Sequence, residues 1–269
     1  MSPELIRTLA ARLAQIPGVR AVTLGGSRAR GPAQPDSDID LGLHYRAEPS
    51  FDLAALNALC RELDDAGTAE ATPPGGWGPW VDGGAWLTVR GQRVDFIYRE
   101  LGRVEHSVND ALAGHIKLHA QPGHPHGIHS HHYAAELALG QVLSDPGGEL
   151  TAIKARLGGY PAALQAALIT HYAWQPDFWL YGAAKGQQRG DVHYAQGCAY
   201  QAVMAMVQVL CARGSVWLTN EKGAVALAGA VPGAPDDFAA QVNAALAGTD
   251  LDALGTLASN LSTPVSRWP

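Results

Sequence analysis

The run Leu24-Gly25-Gly26-Ser27-Arg28 and, beyond the ten-residue spacer Arg28 to Ser37, the run Asp38-Ile39-Asp40-Leu41 decide how this sequence is read. A strand turns alternate side chains to opposite faces, so Asp38 and Asp40 share one side while Ile39 and Leu41 point into a core. Two neighbouring carboxylates repel and raise each other's pKa unless a cation lies between them. Hard oxygen ligands with open positions suit Mg²⁺, which keeps waters and substrate phosphates as its other ligands. Asp95 sits in a later apolar run, Val94 to Tyr98. If that run pairs with Ile39–Leu43, three carboxylates converge and can hold two metal ions about 4 Å apart, the arrangement used for in-line phosphoryl displacement. Glycines before a helix let backbone N–H groups approach a phosphate, and Ser27 adds a hydroxyl donor. Arg28 and Arg30 are placed to neutralise charge nearby. The competing readings are solvated turn chemistry at the Asp-Ser-Asp junction and an ordinary hairpin carboxylate at Asp95.

Outward from this motif, the first part of the chain alternates between helical and strand periods. Leu5, Leu9, Leu13 and Ile16 mark one helical face, with Pro3 in the first turn and Gly18 as the stop. Val19–Leu24 and Ile39–Leu43 have strand length, the second led in by the turn-rich Pro32–Ser37. Ser50 is a candidate cap for a helix carrying Leu53, Leu56, Leu59 and Leu63. Ala85–Arg90 and Val94–Tyr98, separated by a turn starting at Gly91, read as a hairpin. After Leu112 the strand signal stops. A loop rich in His, Gly and Pro (Gly114–Ser130) leads into Ala/Leu-rich helical stretches reaching about Ser259. The expected class is α+β: a small mixed-sheet domain over 1–112, then an all-α helical bundle over 113–269.

The 269 residues suit one large domain or two modest ones, and 47% hydrophobic against 16% charged excludes a disordered chain. The net charge of −6 is shared: 11 basic against 15 acidic groups in residues 1–110, leaving 8 against 10 of the total 19 and 25. No Lys/Arg cluster provides the footprint of a general nucleic-acid binder. Three cysteines, Cys60, Cys198 and Cys211, make no disulfide framework, and the N-terminal segment has no apolar signal core. Ala199–Ala212 is too short to span a bilayer and reads as a buried helix. A soluble, cytoplasmic protein is the expectation.

The helical half offers candidates without a motif. Lys185, Arg189 and Asp191 surround the break at Gly190, and Lys222 follows a helix start at Thr219-Asn220. A lysine reaching the β- and γ-phosphates would complete a phosphate site electrostatically. Glu136, with Tyr133 after the His loop, is a candidate general base if its pKa is raised. His124, His126, His129, His131 and His132 fall within nine residues, yet no cysteine is near and a polar loop is favoured over a zinc site. Trp77, Trp80 and Trp86 stack on a base or sugar, or pack; packing is favoured.

Gly-Gly-Ser, then Asp-x-Asp on a strand and a third Asp on a later one, resembles the DNA polymerase beta-type nucleotidyltransferase superfamily. The match covers roughly residues 19–98. A small α/β domain followed by helices is similar to the antibiotic nucleotidyltransferases and their bacterial relatives; in the helical half the likeness rests on Lys185–Asp191 and Asn220-Glu-Lys-Gly223. The resemblance implies that Gly26 and Ser27, with Arg28 and Lys185, bind the triphosphate, and that Asp38 and Asp40 ligate two Mg²⁺ ions. Asp95 is then the third carboxylate, near the acceptor hydroxyl. The implied activity moves a nucleoside monophosphate, AMP from ATP above all, to a hydroxyl with release of pyrophosphate. Excess carboxylate favours a small cationic acceptor of the aminoglycoside kind. A tRNA end or a protein hydroxyl as acceptor, a nucleotide-binding module without turnover, and a zinc protein built on the His loop are the alternatives. The oligomeric state is not legible.

Overall fold

A computed structural model of the protein describes residues 3–30 and 37–261. The expected turn over Pro32–Ser37 lies outside them except for Ser37, as do the side chain of Arg30 and the C-terminal Arg267. The chain forms two compact units: residues 1–109 with 131–159, and residues 110–130 with 160–269. The expected single cut after residue 112 is therefore crossed again, because 131–159 returns to the first unit.

In that unit α1 (Pro3–Leu13), β1 (Val19–Leu24), the short α2 (Gly26–Arg30), β2 (Ile39–Tyr45) and α3 (Leu53–Leu63) come first. They precede the hairpin β3 (Gly84–Val89) and β4 (Gln92–Glu100), whose turn residues Arg90 and Gly91 both have positive φ (52° and 73°). Two such residues make the mirror-image turn that matches strand twist, and the turn starts one residue before Gly91. α4 (Leu101–Ala113) leads to a second hairpin, β5 (Leu118–Gln121) and β6 (His124–His129), then to α5 (His132–Leu139), β7 (Gln141–Ser144) and α6 (Glu149–Ala155). The main sheet is mixed, ordered β3-β4-β2-β1-β7, with β2 and β4 parallel and the other pairs antiparallel.

The register follows from the core. Ile39, Leu41 and Leu43 of β2 are fully buried, with Val94, Phe96 and Tyr98 of β4 beside them and Leu9, Leu13 and Leu56 in the same core. Each such aliphatic side chain contributes roughly 1.5–3 kcal/mol when buried. A one-residue slip would expose the whole set, so the opposite face is fixed as the one carrying Asp38 and Asp40. α3 is capped by Asp52, whose carboxylate accepts from Ala55 N at 3.0 Å; the expected Ser50 lies too early, because Asp52 N donates to Pro17 O and turns the chain there.

The second unit is largely helical: α7 (Ala162–Tyr172), α8 (Gln175–Gln188), α9 (Val192–Arg213), α10 (Ala224–Gly229), α11 (Phe238–Gly248) and α12 (Leu251–Ser259). α9 has 22 residues, starts well before Ala199, and is long and apolar enough to cross a membrane. Yet 78% of its apolar window is buried within the protein, packed by α7, α8 and α10. The unit departs from all-α through β5–β6, where a plain loop was expected. Gln121 pairs with His124 across Pro122-Gly123, and Gly123 takes φ 88°. Pro followed by a positive-φ Gly is the type II turn that closes a hairpin even when its strands are rich in histidine.

Candidate active site

The face of the sheet opposite the core is polar at one end. Asp40 on β2 stands directly beside Asp95 on β4, two parallel strands bringing the two carboxylates to neighbouring positions of the same face. Asp38 precedes β2 by one residue and has the same parity. Its Oδ1 is buried and lies 2.7 Å from Arg93 Nε, oriented so that it forms an ion pair and accepts no hydrogen bond.

The loop after β1 closes on this pair. Gly25 N donates to Asp40 O at 2.8 Å. Gly26 adopts φ 61°, and a Cβ on it would lie 1.8 Å from Asp40 Oδ2. The backbone of Gly26 therefore abuts the Asp40 carboxylate with no room for a side chain. Gly26 and Ser27 open α2, where backbone N–H groups have no carbonyl one turn earlier to pair with. Ser27 is exposed.

Arg28 is engaged at the entry to β2. Its Nε donates to the carbonyls of Ser37 and Asp38 at 3.1 Å, and its Nη2 to Ser37 O at 2.6 Å. Gln92 Nε2 donates to the same Ser37 carbonyl at 2.9 Å. These bonds fix the point at which the chain enters β2, and hence the position of Asp38. Lys185 lies in the other unit, on α8, with its Nζ 4.3 Å from the centre of the Tyr181 ring.

The donor chemistry fits a magnesium ion: three carboxylates of one parity, two of them on adjacent strands. Side chains are not gathered into a closed centre, since no group of three or more His, Cys, Asp or Glu able to hold a metal occurs among the described residues.

Further along the same face the polar groups are structural. His44 and Arg99 are register partners. Arg99 donates to Glu136 of α5 through Nε (2.6 Å) and Nη2 (2.7 Å), and His132 Nε2 lies 3.2 Å from the same carboxylate. Burial alone would raise the Glu136 pKa, but the charges of Arg99 and His132 and their hydrogen bonds outweigh it and hold it well below the usual range. A general base needs the opposite shift, so Glu136 is a structural partner of Arg99 and not a proton acceptor. The His44 ring, bonded to Thr23 Oγ1 at 3.1 Å, is held neutral: burial first, then Arg99, pushes its pKa down to about 3.

The His-rich hairpin in the second unit is likewise engaged. Glu221 accepts from His126 N at 3.0 Å and lies 3.1 Å from His124 Nδ1, while His126 Nδ1 is 3.0 Å from Gln201 Oε1. His129 bonds Tyr172 Oη.

Of the three tryptophans, Trp80 is half-buried beside Tyr133, with ring centroids 6.0 Å apart, whereas Trp86 diverges from the packing expectation. Trp86 is 68% exposed and stacks on Trp77, with ring centroids 4.5 Å apart and planes 16° from parallel. A signal for this was present: Ala85, Leu87 and Val89 alternate inward, which gives Trp86 the outward parity of Thr88.

Residues 6–73 match the family described as a nucleotidyltransferase domain, a stretch holding Gly26, Ser27, Asp38 and Asp40 but ending before Asp95. Residues 128–222 match a domain of unknown function (DUF4037). A search of curated proteins returns no match. A nucleotidyltransferase-like protein from Exiguobacterium sibiricum 255-15 is similar over 95% of this chain and 74% of its own, at 12% identity and a TM-score of 0.42, too distant to bear on function. The family match falls on the residues that build the Gly26–Asp40 junction, so residues 6–73 are identified as a nucleotidyltransferase domain.

Proposed function

We propose that the protein transfers AMP from ATP to a hydroxyl of a small cationic acceptor of the aminoglycoside kind, with Mg²⁺ and with release of pyrophosphate. The observation that carries the reading is the junction of Gly26 with Asp40, beside Asp95. It puts phosphate-binding backbone and paired carboxylates within one side chain's length of each other. Bound at Asp38, Asp40 and Asp95, Mg²⁺ would lower the pKa of the acceptor hydroxyl and neutralise charge on the departing pyrophosphate.

The chain's own groups do the rest. Backbone N–H groups of Gly26 and Ser27 and the Ser27 hydroxyl orient the triphosphate. Arg28 positions Asp38 through the Ser37 and Asp38 carbonyls. The acceptor oxygen attacks the α-phosphorus, the bond to the β-phosphate oxygen breaks, and the hydroxyl proton passes to solvent. The products are the acceptor–NMP ester, pyrophosphate and one proton.

Calorimetric titration of each NTP, with and without Mg²⁺, into wild type and Asp40→Asn tests this. Mg²⁺-dependent binding of ATP that the variant loses supports the site; binding of another NTP alone reassigns the donor. Pyrophosphate release against a panel of amino sugars then tests the acceptor. An enzyme that binds Mg·ATP tightly but releases no pyrophosphate with any of them would be a nucleotide-binding module or would act on a macromolecule.

A further inference from the structure

We infer that Trp86 and Trp77 form the acceptor subsite of this enzyme, a flat indole platform that takes one face of a cationic sugar ring beside Asp95. The inference rests on the transferase reading above and deepens it.

Trp86 is the antiparallel partner of Asp95 across β3 and β4. Directly opposed residues on one sheet face have Cβ atoms about 5 Å apart, so the indole borders the third carboxylate. Its exposure of 68% means that the core does not need it there. The surface is also built rigidly. Trp77 lies flat against Trp86 and packs over Gly84, where a Cβ would meet Phe96 O at 1.9 Å and Trp77 Cη2 at 3.0 Å. The loop carrying Trp77 is pinned on its far side. Arg103 Nη1 donates to Pro79 O at 2.6 Å, and Tyr133 Oη donates to Trp80 O.

Strand order decides which substrate meets the platform. The phosphate-binding glycines follow β1 and touch Asp40 on β2, whereas Trp86 is on β3, two strands to the other side. At about 4.8 Å per strand, the platform lies roughly 10 Å from the strand of Asp40, across Asp95 from the glycines. In-line displacement puts the entering oxygen opposite the leaving pyrophosphate. With the pyrophosphate held at Gly26 and Ser27, the acceptor arrives over Asp95, and Trp86 is the first surface that it meets. An indole face attracts ammonium groups and the C–H face of a sugar ring, and Asp95 next to it adds negative charge. Arg93, a cation on the neighbouring strand, is paired with Asp38.

The enzyme labelled with 5-fluorotryptophan gives one fluorine resonance for each of its seven tryptophans, and loss of a signal in Trp86→Phe assigns Trp86. The protein is first saturated with Mg²⁺ and the α,β-methylene analogue of the NTP chosen by calorimetry. Kanamycin, glucosamine and the uncharged methyl glucoside are then titrated in turn. The expected result is a saturable shift of the Trp86 signal with the amino sugars, weaker or absent with the uncharged one. In turnover, Trp86→Ala is expected to raise the KM for kanamycin 10- to 100-fold with kcat within threefold, and Trp86→Phe to recover most of it. A Trp86 signal that moves on nucleotide addition and is then indifferent to every sugar would assign the platform to the base and overturn the inference. A signal that no titrant moves would overturn it as well. Failure of any NTP to bind appears before a sugar is added, and counts against the transferase reading itself.

Discussion

Gly25 and Gly26 are adjacent, both glycine, and predicted to respond to alanine in opposite ways. At Gly25 a Cβ would meet only Asp40 Cβ and Asp40 O, both at 3.8 Å, which is ordinary contact. At Gly26 the Cβ would lie 1.8 Å from Asp40 Oδ2, 2.8 Å from Cγ and 3.3 Å from Cβ, on a backbone with φ 61°. An alanine held in the left-handed region costs about 1–2 kcal/mol. The clash itself adds little to that, because a carboxylate end can swing away. The oxygen must retreat from 1.8 Å to the 3.4 Å of ordinary contact, about 1.6 Å. A misplacement of about 1 Å in a reacting constellation costs roughly 100-fold in rate. Gly26→Ala should therefore remain folded, lose about 1–2 kcal/mol in urea denaturation, and lose at least about 100-fold in pyrophosphate release. Gly25→Ala should stay within about threefold of wild type, since nothing there is displaced. The two variants are compared by equilibrium unfolding and coupled pyrophosphate detection under saturating substrates. A Gly26→Ala enzyme with near-wild-type turnover would refute the claim that Asp40 acts from the position it occupies here.

Asp95→Asn keeps the strand pairing but removes a charge, and should abolish transfer while leaving the unfolding midpoint within about 0.5 kcal/mol. Glu136→Gln should destabilise by about 2–3 kcal/mol, less than a fully buried pair because a third of the Glu136 side chain faces solvent, yet leave kcat within about threefold; a specific loss of kcat would restore the general-base role. Below about pH 6.5 an unfolded His44 takes up a proton, whereas the folded one does so only near pH 3. Between these values the unfolded state binds more protons, so stability should fall as pH drops through that window. His44→Gln should flatten the decline in urea midpoint between pH 6.5 and 4, with an unchanged slope counting against the neutral ring. Arg28→Met should raise the metal concentration needed for half-maximal turnover through a displaced Asp38, with NTP affinity at saturating metal altered less than threefold.

The parts of this protein that follow local rules were readable from its residues. Ile39, Leu41 and Leu43 alternate with Asp40, so strand, core face and polar face follow together. The hairpin bearing Asp95 shows the same period. What local rules do not carry is the company a residue keeps. β7 is four residues, Gln141–Ser144, with no alternation to mark it, and it is a strand because β1 has an edge to pair. Glu136 looked available because its partner, Arg99, is 37 positions away. That Arg28 fixes the entry to β2 was not legible, because its hydrogen bonds go to backbone carbonyls nine and ten residues on, which no residue type announces. The histidine-rich hairpin had only Pro122-Gly123 to give it away.

The return of residues 131–159 to the first unit has a consequence for how the protein is made. β1, complete by residue 24, waits for β7 at residues 141–144 before its outer edge is paired, and Arg99 waits for Glu136 before its charge is met. During synthesis at about 5–20 residues per second, that leaves an unpaired strand edge exposed for several seconds, while a hairpin belonging to the other unit is produced in between. Such an edge is what chaperones bind and what aggregates when they do not. A gene cut after codon 112 would make that waiting state permanent, so the first unit is not a block that recombination can move by its N-terminal part alone.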